Sequence, residues 1–143
     1  MDLKNLLVPT DFSEDADRAV DYAVGLAQEL KASLTLMTAT YIGDTPEVSQ
    51  SYIEKVRAEA QHRIEAVRQR VEDTGVAVKV VMVSGPPAQR ITETAQKEAA
   101  DLIVMGTHGR TGLRHMLIGS VAERVVRHAT CPVLVVPRQT EPH

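Results

Sequence analysis

The sequence predicts one open α/β domain, a parallel sheet covered by helices on both faces. Three observations carry that prediction. The 143 residues suit a single domain, and a chain of this size buries about 68 to 70% of the surface its unfolded form exposes, so its core needs no staples. Five short stretches rich in Val, Ile and Leu alternate with segments of helical spacing, which implies parallel strands joined by right-handed crossovers. Residues 102–106 are apolar on both sides of the pleat, as a strand covered on both faces has to be.

The first strand is expected over 3–8. Behind it, Ser13 reads as the N-cap of a helix over 14–30, with Glu14 and Asp15 in the first turn, where carboxylates favour the helix dipole. Ala16, Ala19, Val20, Ala23, Val24, Ala27 and Leu30 form its inward stripe. A second strand follows over 33–39. After a loop over 41–51 containing Gly43 and Pro46, residues 47–73 place Ile53, Val56, Ala60, Ile64, Val67 and Val71 in steps of three and four. Such a stripe serves a coiled coil or a helix lying on a sheet, and the second reading is preferred in a chain of alternating strands. The third strand falls over 76–83 and Gly85-Pro86-Pro87 marks a turn. A helix over 87–99 then turns Ile91, Ala95 and Ala99 inward, with proline in its first turn. Strand 102–106, a short helix over 121–129 and a strand over 133–137 complete the series, and no linker or repeat divides the single domain 1–143.

Composition excludes several classes. Sixteen Lys and Arg against nineteen Asp and Glu give a formal charge of −3, so no overall positive field favours nucleic acid. One Phe, three Tyr and no Trp offer few faces for bases to stack on. The apolar runs fall far short of the roughly 20 residues of a membrane span, and the segment around Asp2 and Leu6-Leu7-Val8 does not resemble a secretory leader. A cytoplasmic location is expected, where the lone Cys131 would remain a free, buried and inert thiol.

Chemistry concentrates after the fourth strand. Gly106, Gly109, Gly112 and Gly119, half of the eight glycines, fall within fourteen residues, and no acidic residue stands between Asp101 and Glu123. His108, Arg110, Arg114 and His115 make that stretch locally positive. Glycines admit positive φ and let backbone N–H groups approach a ligand with no Cβ in the way. Successive amides can then line a nest for phosphate oxygens, and a helix N-terminus just beyond Gly119-Ser120 would point into the same pocket. The spacing is neither the Walker sequence nor G-x-G-x-x-G.

Other readings of these residues stand beside the first. Ser120 with Glu123 matches a capping box, so Ser120 serves the helix alone, or caps it while backbone groups hold a phosphate. Arg110 and Arg114 are phosphate partners or solvated charges. His108 and His115 fit a loop surface or local hydrogen bonding better than catalysis, and nothing nearby has metal-ligand spacing. Asp11, in Pro9-Thr10-Asp11-Phe12-Ser13, either helps to cap the next helix or accepts hydrogen bonds from a base or ribose at a strand's carboxyl end.

The segment from Gly106 to Ser120 resembles the universal stress protein pattern G-x2-G-x9-G-[S/T], in its ATP-binding branch. Leu6-Leu7-Val8-Pro9-Thr10-Asp11-Phe12-Ser13 and the stretch from Val121 through Cys131-Pro132 into the last strand are similar to that family's ends. The resemblance implies a five-stranded Rossmann-like sheet of order 3-2-1-4-5 holding ATP, AMP or ADP across strands one and four. It places Pro9, Thr10 and Asp11 at the adenosine end and the main chain of Ala39 against adenine. Gly106, Thr107, His108, Gly109, Arg110, Thr111 and Gly112 would wrap ribose and phosphates. Gly119, Ser120, Val121 and Ala122 would hold the polyphosphate, with Mg2+ admitted as a bridge. It further implies a homodimer, open to pairing into a tetramer, through the last strand between Pro132 and Val136, and a regulated protein partner in a stress response. The second strand departs from the family in its polar ending Thr38-Ala39-Thr40. Three functions are compared: a nucleotide-sensing regulator, a slow ATPase or phosphotransferase using His108 or His115, and a nucleotide-free interaction module. The first is expected, because the pattern supplies a phosphate cradle without an evident catalytic base.

Overall fold

The computed structural model describes residues 2–43, 48–108 and 118–138. Its elements in chain order are β1 (Asn5–Pro9), α1 (Glu14–Leu30), β2 (Ser33–Thr40), α2 (Gln50–Glu72), β3 (Val78–Ser84), α3 (Pro87–Lys97), β4 (Leu102–Gly106), α4 (Ser120–His128) and β5 (Val133–Val136). All neighbouring strands are parallel, in the order β3-β2-β1-β4-β5. The chain leaves β1 toward β2 on one side and reaches β4 on the other, which puts the switch point between β1 and β4.

Alternation along the central strands sorts the core into two layers. Leu6, Val8, Leu34, Leu36, Leu102 and Val104 face α1 and α2, meeting Ala19, Val20, Ala23, Ala27, Ile64 and Val71. Leu7, Met37, Ile103 and Met105 face α3 and α4, meeting Ile91, Ala95, Ala122 and Val125. Strand neighbours such as Leu7 and Ile103 stay on one face because parallel register preserves the period of two.

Helix α1 begins and ends where its sequence signals stand. The Ser13 hydroxyl accepts the Ala16 N–H at 3.2 Å, and Lys31 closes the last turn in a left-handed conformation with φ of 55°. Helix α2 starts at Gln50 rather than 47, because Ser49 supplies the cap and accepts the Tyr52 N–H at 3.2 Å. Its apolar stripe lies on β2 and β3, so it is a sheet-covering helix. Residues 44–47 of the expected 41–51 loop lie outside the described residues.

One inward assignment is corrected. Ala99 is exposed and has φ of 52°, beyond the end of α3 at Lys97. The chain must reverse there to enter β4, and the left-handed residue allows the Ala100 N–H to reach the Ala95 carbonyl at 2.8 Å.

Candidate functional site

A cavity of about 250 Å³ opens at the carboxyl ends of β1, β2 and β4. Pro9, Thr10, Asp11, Ala39, Gly106, Thr107, His108, Gly119, Ser120, Val121 and Ala122 all line it. The remaining expected residues, Gly109, Arg110, Thr111 and Gly112, lie outside the described residues, as do Arg114 and His115.

One end of the cavity is built from side chains. Met37 and Ala39 of β2, Met105 of β4, and Pro87 and Ile91 one turn apart on α3 give it an apolar wall. The turn after β1 forms its edge. Buried Thr10 anchors that turn, donating its N–H to the Met37 carbonyl at 2.8 Å and accepting the Phe12 N–H on its hydroxyl at 3.0 Å. The Asp11 carboxylate accepts the Ser13 N–H at 3.1 Å, so Asp11 shapes the approach to α1 while Ser13 is the cap. Phe12 adopts φ of 67°, a left-handed conformation costing an L-residue roughly 1–2 kcal/mol. Its ring packs against the core beneath the Arg63 guanidinium, 5.9 Å from the ring centre, which offsets that cost.

The other end is built from backbone. Gly119, at φ −75° and ψ 165°, is the N-cap of α4 and gives it no side-chain cap. Ser120 is therefore the first helical residue and is exposed, so the capping reading does not hold. The N–H groups of Ser120, Val121 and Ala122 have no partner within the helix, and these residues border the cavity. Gly106 and Gly119 answer a different need from the one the spacing suggested, since neither is left-handed. A Cβ on Gly106 would stand 2.7 Å from the Asp15 carbonyl oxygen, and one on Gly119 would stand 2.8 Å from that of Thr107. Two segments of main chain touch at each point. The Gly119 N–H donates to that Thr107 carbonyl at 2.5 Å, so the end of the β4 exit and the start of α4 lie side by side.

Sequence reading missed the residue that organises this end. Asp15, expected only as a first-turn acid, is 5% exposed, and its carboxylate accepts the His108 N–H at 3.1 Å. Arg18 and Arg138 pair with it, and the His108 ring lies 3.6 Å away. Burial alone would push this carboxyl up, but the hydrogen bond and charge of Arg138, followed by those of Arg18, hold it below the usual carboxylate range. A signal was available. Asp15, Ala19, Ala23 and Ala27 are spaced by four, so the buried row of α1 runs back one turn to Asp15. His108 is itself 8% exposed and bonded to the Thr107 hydroxyl, in keeping with a local hydrogen-bonding role. Cys131 is partly buried, and burial, followed by the nearby Asp101 charge, pushes its thiol up.

A doubly wound sheet with a cleft at its switch point, apolar at one end and bordered by a helix N-terminus at the other, defines an α/β domain of the class whose ligands sit at that point. The chain belongs to the universal stress protein family, whose model matches residues 2–137. It is 40% identical over 140 residues to the universal stress protein MJ0531 of Methanocaldococcus jannaschii, covering 94% of this chain and 82% of that one. The structure of MJ0577 from the same organism superposes with a TM-score of 0.89 at 33% identity, covering 99% of this chain and all of the other. A universal stress protein solved in complex with cAMP superposes with a TM-score of 0.77 at 25% identity, covering 97% of this chain and 100% of its own. Among the described residues no helix is long and apolar enough to cross a membrane.

Proposed function

We propose that the cleft binds an adenine nucleotide, ATP or its AMP and ADP relatives, and that the protein acts as a nucleotide-responsive regulator within one domain over 1–143. One observation carries the reading: the same cavity joins an apolar wall to the uncapped first turn of α4. Adenine would lie among Ala39, Pro87 and Ile91, with Asp11 at the ribose. The first-turn amides and the Ser120 hydroxyl suit phosphate oxygens, because a helix N-terminus favours anions. Gly109, Arg110, Thr111 and Gly112 would close the phosphate site from the connecting loop. The relative solved with cAMP supports the ligand class.

Binding rather than turnover is favoured, since Asp11, the one carboxylate that lines the cleft among the described residues, already accepts a hydrogen bond from the Ser13 amide. The described residues gather no cluster of three or more His, Cys, Asp or Glu, so bridging Mg2+ would be held by phosphate oxygens and water. Val133, Leu134, Val135 and Val136 are each only partly buried at the sheet edge, which fits pairing of two copies along β5. The direct test is to denature the purified protein and identify any released nucleotide by absorbance and mass, alongside titration of the stripped protein with ATP. Release of adenine nucleotide, or saturable ATP binding weakened in Ser120→Ala, is expected. A protein that carries no nucleotide and shows no heat of binding with millimolar ATP contradicts the reading.

A further inference from the structure

Asp15 does not line the cavity, yet separate parts of the chain meet on its carboxylate. Arg18 approaches from its own helix. The end of β4 contributes the His108 N–H at 3.1 Å and the Thr107 hydroxyl at 3.5 Å. The chain just beyond β5 contributes Arg138, whose Nε lies 3.0 Å from Oδ2 and 3.3 Å from Oδ1. From there the connections run on to the cleft. The Thr107 carbonyl accepts the N–H of Gly119, and Gly119 caps α4.

We propose that Asp15 is a positioning residue for the phosphate end of the cleft and that Arg138 governs it, so that the segment following β5 sets phosphate affinity without touching the ligand. The proposal rests on the nucleotide reading above for its consequence and on the Arg138-Asp15-His108 contacts for its mechanism. Without Arg138, Arg18 is the one arginine left beside the carboxylate among the described residues, and the carboxylate is free to swing toward it on α1. The amide of His108 then loses a fixed acceptor, and the Thr107 carbonyl no longer places the first turn of α4. Among the described residues, no hydrogen bond or ion pair runs from Asp15 or Arg138 to the Met37, Ala39, Pro87 and Ile91 side chains of the apolar wall.

The test combines two ligands with one exchange measurement. Calorimetric titration of ATP and of adenosine is carried out on wild type, Arg138→Ala, Asp15→Asn and the double variant. Arg138→Ala is expected to weaken ATP about fivefold while adenosine stays within about twofold, and to have no further effect in the Asp15→Asn background. Equal losses for both ligands would mean general loosening and overturn the proposal. So would an undiminished Arg138→Ala effect in the Asp15→Asn background, because Arg138 would then act on phosphate directly. Amide exchange of the ligand-free protein supplies a readout that needs no nucleotide. In Arg138→Ala the Gly119 amide is expected to exchange about tenfold faster, while Ala129 at the far end of α4 is unchanged. Unchanged Gly119 exchange would sink the positioning role even if ATP binds, whereas wild type binding neither ligand would sink the nucleotide reading and leave the tether to be judged by that exchange.

Discussion

At the amino end of the sheet, Asp101 accepts the backbone N–H groups of Lys4 and Asn5, both at 2.9 Å; at the carboxyl end, Asp15 accepts that of His108 at 3.1 Å. Each carboxylate ties segments more than ninety residues apart in sequence. Their surroundings differ. Around Asp101 the polar groups satisfy one another, the Asn5 amide donating to the Glu98 carbonyl at 2.8 Å and its oxygen accepting the Thr35 hydroxyl at 3.1 Å. Around Asp15 the same kind of tie stops one residue short of an open helix N-terminus beside a cavity. A cross-chain aspartate thus serves stability where the neighbouring amides are consumed, and on the proposed reading it orders a binding site where a neighbouring first turn has no partner within its own helix.

The largest effect that separates the two ends is expected from adding a side chain at Gly106 or Gly119. Overpacking costs roughly 1–3 kcal/mol, and in Gly119→Ala the new Cβ would press on Thr107 main chain, so ATP affinity should fall by about tenfold or more. Calorimetry with parallel urea unfolding checks this, and unchanged affinity would remove the close approach from the account. Asp101→Ala should cost about 1–3 kcal/mol by leaving two amides without an acceptor, while nucleotide affinity stays at the wild-type value. A matching loss of affinity would erase the distinction between the two ends.

A smaller effect is expected from acid. Arg138 holds the Asp15 pKa below its unfolded value, so its contribution is fully present above roughly pH 4 to 5 and is lost as pH falls through the lower folded value. The stability difference between wild type and Asp15→Asn, followed by urea unfolding, should be flat at neutral pH and shrink only below about pH 4. A difference growing toward low pH would contradict the pairing. The smallest effect concerns Cys131, whose raised thiol should alkylate more slowly than a free cysteine at neutral pH. Rapid labelling would show that it is not shielded.

Much of this architecture was legible because local signals agreed with tertiary ones. Ser13 and the alanine-rich stripe set both ends of α1, and the two-sided apolar pattern marked β4 over 102–106. The start of α2 was less clear, since its apolar stripe begins only at Ile53 and the first turn depends on the Ser49 cap. Ala99 misled because its side chain continues a helical stripe that the backbone has already left. At the site, glycine spacing located the cleft but suggested positive φ, whereas at Gly106 and Gly119 the physical requirement is contact between two stretches of main chain. Asp15 and Arg138 stood 123 positions apart, and pairing at that separation leaves no trace in one sequence beyond the buried row of α1.

The central claim is that adenine nucleotide occupies the carboxyl end of this sheet with its phosphates on the first turn of α4. Backbone amide shifts recorded during an ATP titration test it most directly. The account predicts saturable shifts at Gly119, Ser120, Val121 and Ala122, with Lys4, Asn5 and Asp101 unmoved. Shifts confined to the amino end, or none at millimolar ATP, would contradict it.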